Sequence, residues 1–280
     1  MAGFRLPVLK GGGAATGAEL LRWALRAEAV FDATLGERVA AEWGEAIVSE
    51  EFPEVPGGNH VRGVALPAGR TWEEVGGEVE GTFAERRLRC GSWVFADGRV
   101  PAQAQAVLEG KGYRLERGNL WALGQARGLP VREDLSLISG RASFEKLAEL
   151  FVESHTFKSD REREQFAAAT SRRLDDTQVE NLLALDGTTA VGTIYLVTAG
   201  EAGFLTQFFV RPGFCRQGVG TTLLMAAMEL AGRSRLKHLT LFCNVGNRHA
   251  EALYRKAGFG VVMEVESLEA RTLASGGGGG

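Results

Sequence analysis

Cysteine is scarce in this 280-residue chain. Cys90, Cys215 and Cys243 stand far apart and form no CxxC pair, which excludes a disulfide framework and a thiolate zinc site. No apolar run approaches the roughly 20 residues that span a bilayer. The opening MAGFRLPVLKGGG has no apolar core of the kind a secretion signal carries. Neither sign of charge is in excess: 32 Lys+Arg face 35 Asp+Glu, a formal charge of −3. Such a balance gives no general polyanion-binding surface, so no nucleic-acid partner is expected. What the chain does have is an ordinary globular composition, 45% hydrophobic and 24% charged. These features fit a cytoplasmic enzyme or binding protein, a monomer or homodimer, with no membrane partner and no metal. At about 100–200 residues per domain the length suggests two domains, long enough for a sizeable core.

The apolar periodicity divides the chain into two α/β halves. In the first, Ala18–Phe31 reads as a helix on Leu20, Leu21, Trp23, Ala24, Ala27 and Val30. Strands are expected at 45–52, 60–66, 91–96 and 113–123, with helices at 71–88 and 101–109. Gly124–Arg132, poor in apolar residues, is taken as the boundary between an N-terminal domain at 14–126 and a second domain at 127–272. The glycine-rich 273–280 is expected to be a disordered tail. The second half reads as a strand at 135–138, helices from Ser143 and over 159–174, and a hairpin at 180–185 and 190–197 about Asp186-Gly187. A strand at 203–210, a helix at 218–231, a strand at 238–243, a helix at 247–256 and a strand at 259–265 follow. Strands alternating with helices imply a mixed α/β layer.

Two segments carry chemistry. In FFVRPGFCRQGVGTTLL (208–224) a strand ends at Val210, and Gln217-Gly218-Val219-Gly220-Thr221 opens a helix. Free N–H groups and the partial positive charge at a helix N-terminus suit a phosphate, glycines let the backbone come close, and Arg216 offers a side-chain contact. The same spacing also fits a strand-to-helix turn packed on glycines. No Gly-Lys-Ser/Thr follows, and only Gly218-x-Gly220 is present, so neither a P-loop nor a dinucleotide fingerprint is matched. In NVGNRHAEALYRKAGF (244–259), Asn247 is a good N-cap and Tyr254 follows on helical spacing. Read alone, this is a capped amphipathic helix with a core tyrosine.

Together the two segments resemble the GNAT acyltransferase superfamily. Val210-Arg211-Pro212 and Gly218-Val219-Gly220 match that family's phosphate loop. Asn244, Asn247, Ala250, Leu253, Tyr254, Gly258 and Phe259 match its later motif, and Gly192 its central hairpin. The resemblance covers about Leu135–Glu266. It implies a mostly antiparallel mixed sheet flanked by helices, with acetyl-CoA as cosubstrate in a cleft between the strands at 203–210 and 239–243. The pyrophosphate would lie on the N–H groups of Gln217–Thr222, and a backbone amide near Phe209 would meet the thioester oxygen. An amine would attack directly, with Tyr254 as general acid. The implied cofactor-binding residues are Phe208, Phe209, Val210, Cys215, Arg216, Gln217, Gly218, Val219, Gly220, Thr221, Thr222, Asn244 and Asn247. Cys215 departs from the family's Arg or Gln. Glu153 and His155 are either bases for the amine or solvated surface groups, and His249 reads as exposed. The last family strand is short, missing or supplied by another segment.

The first half echoes the second. Val107–Tyr113 aligns with Leu253–Phe259, each ending a helix with Gly plus an aromatic before a strand, but Leu108 replaces the tyrosine. No Gly-x-Gly opens the helix near Thr71. The first half is thus read as a degenerate GNAT-like copy that packs on the second and completes its sheet; the other reading is an unrelated α/β domain. Beside the enzyme, the function classes include a non-catalytic acyl-CoA sensor.

Overall fold

The computed structural model describes residues 15–55, 57–154, 157 and 159–270. His155 and the glycine-rich tail at 273–280 lie outside these. Local sequence signals open the helices. Thr16 caps α1 (Gly17–Ala33): its hydroxyl accepts from Glu19 N–H while the Glu19 carboxylate accepts from Thr16 N–H. Thr71 and Glu74 repeat that reciprocal pair at α2 (Trp72–Ala84). Between them lie β1 (Glu37–Ala41), β2 (Gly44–Val48) and β3 (His60–Val64). β4 (Ser92–Phe95), α3 (Ala102–Gly110) and β5 (Tyr113–Leu123) complete the first half. The second half runs β6 (Ser136–Ser139), α4 (Phe144–Ser154), α5 (Asp160–Asp175), β7 (Val179–Asp186), β8 (Thr189–Ala199), β9 (Ala202–Val210), α6 (Val219–Arg233), β10 (His238–Asn244), α7 (Arg248–Ala257) and β11 (Phe259–Ala270).

All eleven strands join one sheet in the order β1-β2-β3-β4-β11-β5-β10-β9-β8-β7-β6. The centre of this order decides the architecture. β5, from the first half, lies between β10 and β11 of the second, antiparallel to both. β11 in turn lies between β5 and β4. Each half therefore donates a strand to the other. Outward from the β5–β11 pair the pattern is the same in both directions: β3 and β4 pair in parallel, as do β9 and β10, and every other neighbour pair is antiparallel. The strand missing from the end of the second half is β5. The exchange also explains why β11 runs to Ala270 rather than stopping at 265: it stays paired with β5 as far as Tyr113.

Side-chain alternation along β5 assigns the faces. Tyr113 and Leu115 join the core under α2 and α3, whereas Trp121 and Leu123, on the same parity, join the core under α6 and α7. The opposite face carries Leu120 and is covered by α1, α4 and α5. Helix α1 packs across β8, β9 and β10, so the first half also covers the second. Glu54 N–H bonds the Gln165 side chain of α5 at 3.0 Å, and Arg172 of α5 pairs with Glu51 at 3.1 Å. The linker at 124–132 marks a boundary in sequence, but neither sheet nor core divides there. Among the described residues no helix is long and apolar enough to cross a membrane.

Candidate active site

β9 and β10 run side by side only from Ala202↔His238 to Leu205↔Leu241. Beyond that point β9 stays on β8 and β10 stays on β5, so a gap opens between Thr206–Val210 and Phe242–Asn244. An irregularity in β9 starts the divergence: the register against β8 shifts between Thr193 and Tyr195, and Gln207 adopts φ 47°, a bulge that re-aims the strand. Phe208 and Val210 then face the α6/α7 core, and Phe209 the α1 face.

The segment after β9 turns at Arg211–Cys215 and enters α6 at Gly218, which has φ 86°. Side chains avoid that region, so the glycine is required. No side chain caps this helix and no acid stands in its first turn, which leaves its leading N–H groups and partial positive charge for an anion. Gly192 lets the helix sit this close to the sheet, since a Cβ there would lie 2.9 Å from both Leu223 Cδ1 and Phe209 O. Arg132 clamps the first turn from the linker: its N–H donates to Thr222 Oγ1 at 2.9 Å, and its side chain passes Gly218 before pairing with Asp134 and Asp186.

The expected ligand residues fall into distinct settings. Gly218, Val219, Gly220 and Thr221 form the uncapped turn, with Val219 fully buried and contributing backbone alone. Arg216 is exposed at φ 62° with no ion-pair partner among the described residues. Gln217 donates to Gly213 O at 2.7 Å. Cys215 turns its sulfur back toward Val210 O and Arg211 O, both at 3.7 Å. Thr222 does not offer a donor: its N–H and its hydroxyl both bond Gly218 O, at 3.0 and 3.1 Å, and the hydroxyl also accepts from Arg132. It ties the first turn of α6 to the linker. Asn247 Oδ1 caps α7 by accepting from Ala250 N–H at 3.2 Å, while Asn244 is exposed at the end of β10. His249 is exposed on α7.

Tyr254 reaches the gap from α7. Its ring lies 6.0 Å from Trp121, 6.3 Å from Phe208 and 6.0 Å from Phe259. The residue is 6% exposed, and no described protein group hydrogen-bonds its hydroxyl. Burial, and secondarily Cys243, push the phenol's pKa up, so it holds its proton at neutral pH. Glu153 pairs with Arg211 at 3.0 Å beside the loop. Three contributors had no local sequence signal: the bulge at Gln207, Arg132, and Trp121, which arrives on the exchanged strand.

Residues 144–259 match the family model described as "Acetyltransferase (GNAT) family". That segment is thus a GNAT-like acetyltransferase domain by sequence. Solved structures with the same fold include a GCN5-related N-acetyltransferase from Kribbella flavida (TM-score 0.61, 16% identity, 89% of this chain and 95% of that one). Another is a functionally unknown conserved protein from Staphylococcus epidermidis (TM-score 0.60, 13% identity, 84% and 94%). A third is a GCN5-related N-acetyltransferase from Sphaerobacter thermophilus (TM-score 0.54, 18% identity, 84% and 78%). The shared fold spans more than the GNAT domain alone supplies, so it includes the first half. No curated protein matches the chain.

Proposed function

We propose that the protein transfers an acetyl group from acetyl-CoA to a primary amine by direct attack, with one cosubstrate site per chain. The observation that carries this reading is the gap between β9 and β10 ending at an uncapped, acid-free helix N-terminus. The leading amides of α6 would hold the pyrophosphate, with Arg216 free to add a charge-assisted contact. The unpaired edge of β9 near Phe209 would present an amide to the thioester oxygen as negative charge develops there. In the reaction the amine nitrogen bonds the acyl carbon, the carbon–sulfur bond breaks, and Tyr254 protonates the departing thiolate. The amine loses its surplus proton to solvent, and the phenol is reprotonated from solvent. Holding both reactants in line supplies much of the acceleration.

A thiol-release assay of the full chain with acetyl-CoA and a panel of amines, run beside a calorimetric CoA titration, tests this. Release with at least one amine and a stoichiometry near one are expected. Absence of CoA binding would refute the site. Saturable CoA binding without release across a wide amine panel would instead support an acyl-CoA sensor, the reading that Cys215, turned away from the loop's open side, favours.

A further inference from the structure

A cavity of about 230 Å³ lies on the α1-covered face of the sheet, across the central strands of both halves. Its apolar wall includes Leu21 and Leu25 of α1, Val265 of β11 and Phe242 of β10. Around this wall stand the carboxylates of Glu28, Asp32, Glu116, Glu266 and Glu269. Three of them have cations of their own. Asp32 binds Arg62 at 2.6 Å and His60 at 3.2 Å, Glu266 binds Arg117 at 3.3 Å, and Glu116 binds Arg114 at 2.6 Å. Among the described residues Glu28 and Glu269 have none that is theirs alone. The cation nearest Glu28 is Arg62, at 3.8 Å and already committed to Asp32. Among the described residues Glu269 accepts from the Ser267 hydroxyl alone, at 3.3 Å. Burial, reinforced by Asp32 for Glu28 and by Glu116 for Glu269, pushes both carboxyls up to about 7. Both side chains are half-buried, and a partly desolvated carboxylate without a close cation is unfavourable, so a cation entering between these two would relieve both.

The position matters as much as the charge. Phe242 and Asn244 wall this cavity, and the same end of β10 borders the gap left by β9. The uncapped turn of α6 lies on one face and the cavity on the other, so a group in the cavity meets the gap from the side opposite the phosphate loop.

We infer that this cavity is the acceptor site and that it selects a linear aliphatic amine bearing a second cationic group. The inference rests on the acyltransferase reading above. The apolar wall takes the methylene chain, the carboxylates hold the distal ammonium, and the other amine points to the gap. At about 230 Å³ the cavity suits a short aliphatic chain.

Calorimetry on the full chain without acetyl-CoA, at pH 8 where both carboxyls are ionised, compares 1,4-diaminobutane with 1-aminobutane. The diamine is expected to bind at least tenfold more tightly, and Glu28→Gln with Glu269→Gln is expected to erase the difference while CoA binding stays unchanged. Should that double variant fail to fold, Leu25→Trp, which fills the cavity without altering charge, is expected to abolish diamine binding and spare CoA. Equal binding of the two amines, binding of neither, or diamine binding that survives these variants would overturn the inference. If CoA still binds in those cases, the acyltransferase reading stands; loss of CoA binding to the unaltered protein is what removes that reading.

Discussion

The two parallel crossovers of this sheet share one plan and differ in three ways. β3–α2–β4 stays closed across one irregularity in register: Val61 opposes Trp93, Val64 opposes Phe95, and Ala96 N–H bonds Val64 O at 3.1 Å. β9–α6–β10 parts after Leu205 and Leu241. The start of α2 is occupied by its own Thr71 and Glu74, with Glu73 adding further negative charge, whereas α6 starts on a bare Gly218. Finally, Leu108 stands in the first half where Tyr254 stands in the second, and Trp72, Phe95, Trp93 and Tyr113 fill the corresponding interior. A common topology thus gives a parted strand pair above an uncapped helix in one half and a filled core in the other. The difference lies in capping chemistry and strand pairing, not in the order of elements.

The largest expected effect comes from erasing the tyrosine. Tyr254→Phe keeps the ring against Trp121 and Phe208 but removes the proton donor. General-acid groups contribute ~10²–10⁴-fold, so kcat in the thiol-release assay is expected to fall by about that much, with KM for acetyl-CoA nearly unchanged. A variant with unaltered kcat, chemistry being rate-limiting, would make Tyr254 a packing residue like Leu108.

Next, α6 can be given the cap of α2. Thr221 occupies the third position of α6, as Glu74 does in α2. Thr221→Glu places a carboxylate against the amides proposed to hold the pyrophosphate. CoA affinity is expected to drop by about tenfold or more, since like charges a few ångströms apart near a surface repel by several kcal/mol. The same change is expected to stabilise the fold by roughly 0.3–1 kcal/mol through the helix dipole. Opposite signs in calorimetry and thermal melting would separate an anion site from a packing turn.

The reciprocal change is smaller. Thr71→Ala strips the cap from α2, at an expected cost of about 0.5–2 kcal/mol in a denaturant titration. CoA stoichiometry is expected to stay near one, because β3 and β4 remain paired. A second binding event would show that capping alone silences the first half.

How much of this was legible beforehand follows from what each feature depends on. Gly218, Gly192 and Asn247 stood out because turn and cap chemistry is local. Thr222 was expected among the loop's amides; its contact with Arg132 was not legible, because that residue lies 90 positions away. The strand exchange was anticipated only as a segment supplied from elsewhere: β5 alternates like any interior strand, and its place is fixed by registers with β10 and β11. β1 was missed because its residues stay largely solvent-facing, which leaves little apolar pattern to read. The cavity's carboxylates come from α1, β5 and β11, and no linear pattern links them.

The smallest expected effect concerns the charges beneath α1, a feature of the exchanged centre rather than of either crossover. Burial opposes charging of His60, but the charge and hydrogen bond of Asp32 outweigh it and raise the imidazole's pKa. Arg62 and Glu28 also face His60, while Arg62 and Arg173 face Asp32. A raised histidine contributes stability that is complete below its unfolded pKa of about 6.5 and lost as pH rises through its folded value. Glu28 and Glu269, raised from 4.5 to about 7, act in the same direction: each binds a proton more readily folded than unfolded, so stability falls from about pH 4.5 to 7. Asp32, held low by His60 and Arg62 against its burial, opposes this only in more acid solution. Melting temperature is therefore expected to decline between pH 5 and pH 8. Glu28→Gln, which cannot ionise, is expected to flatten that decline and to melt higher than the parent at pH 8. A melting temperature that rises across this range would mean that the carboxyls beneath α1 are already neutralised in the folded protein.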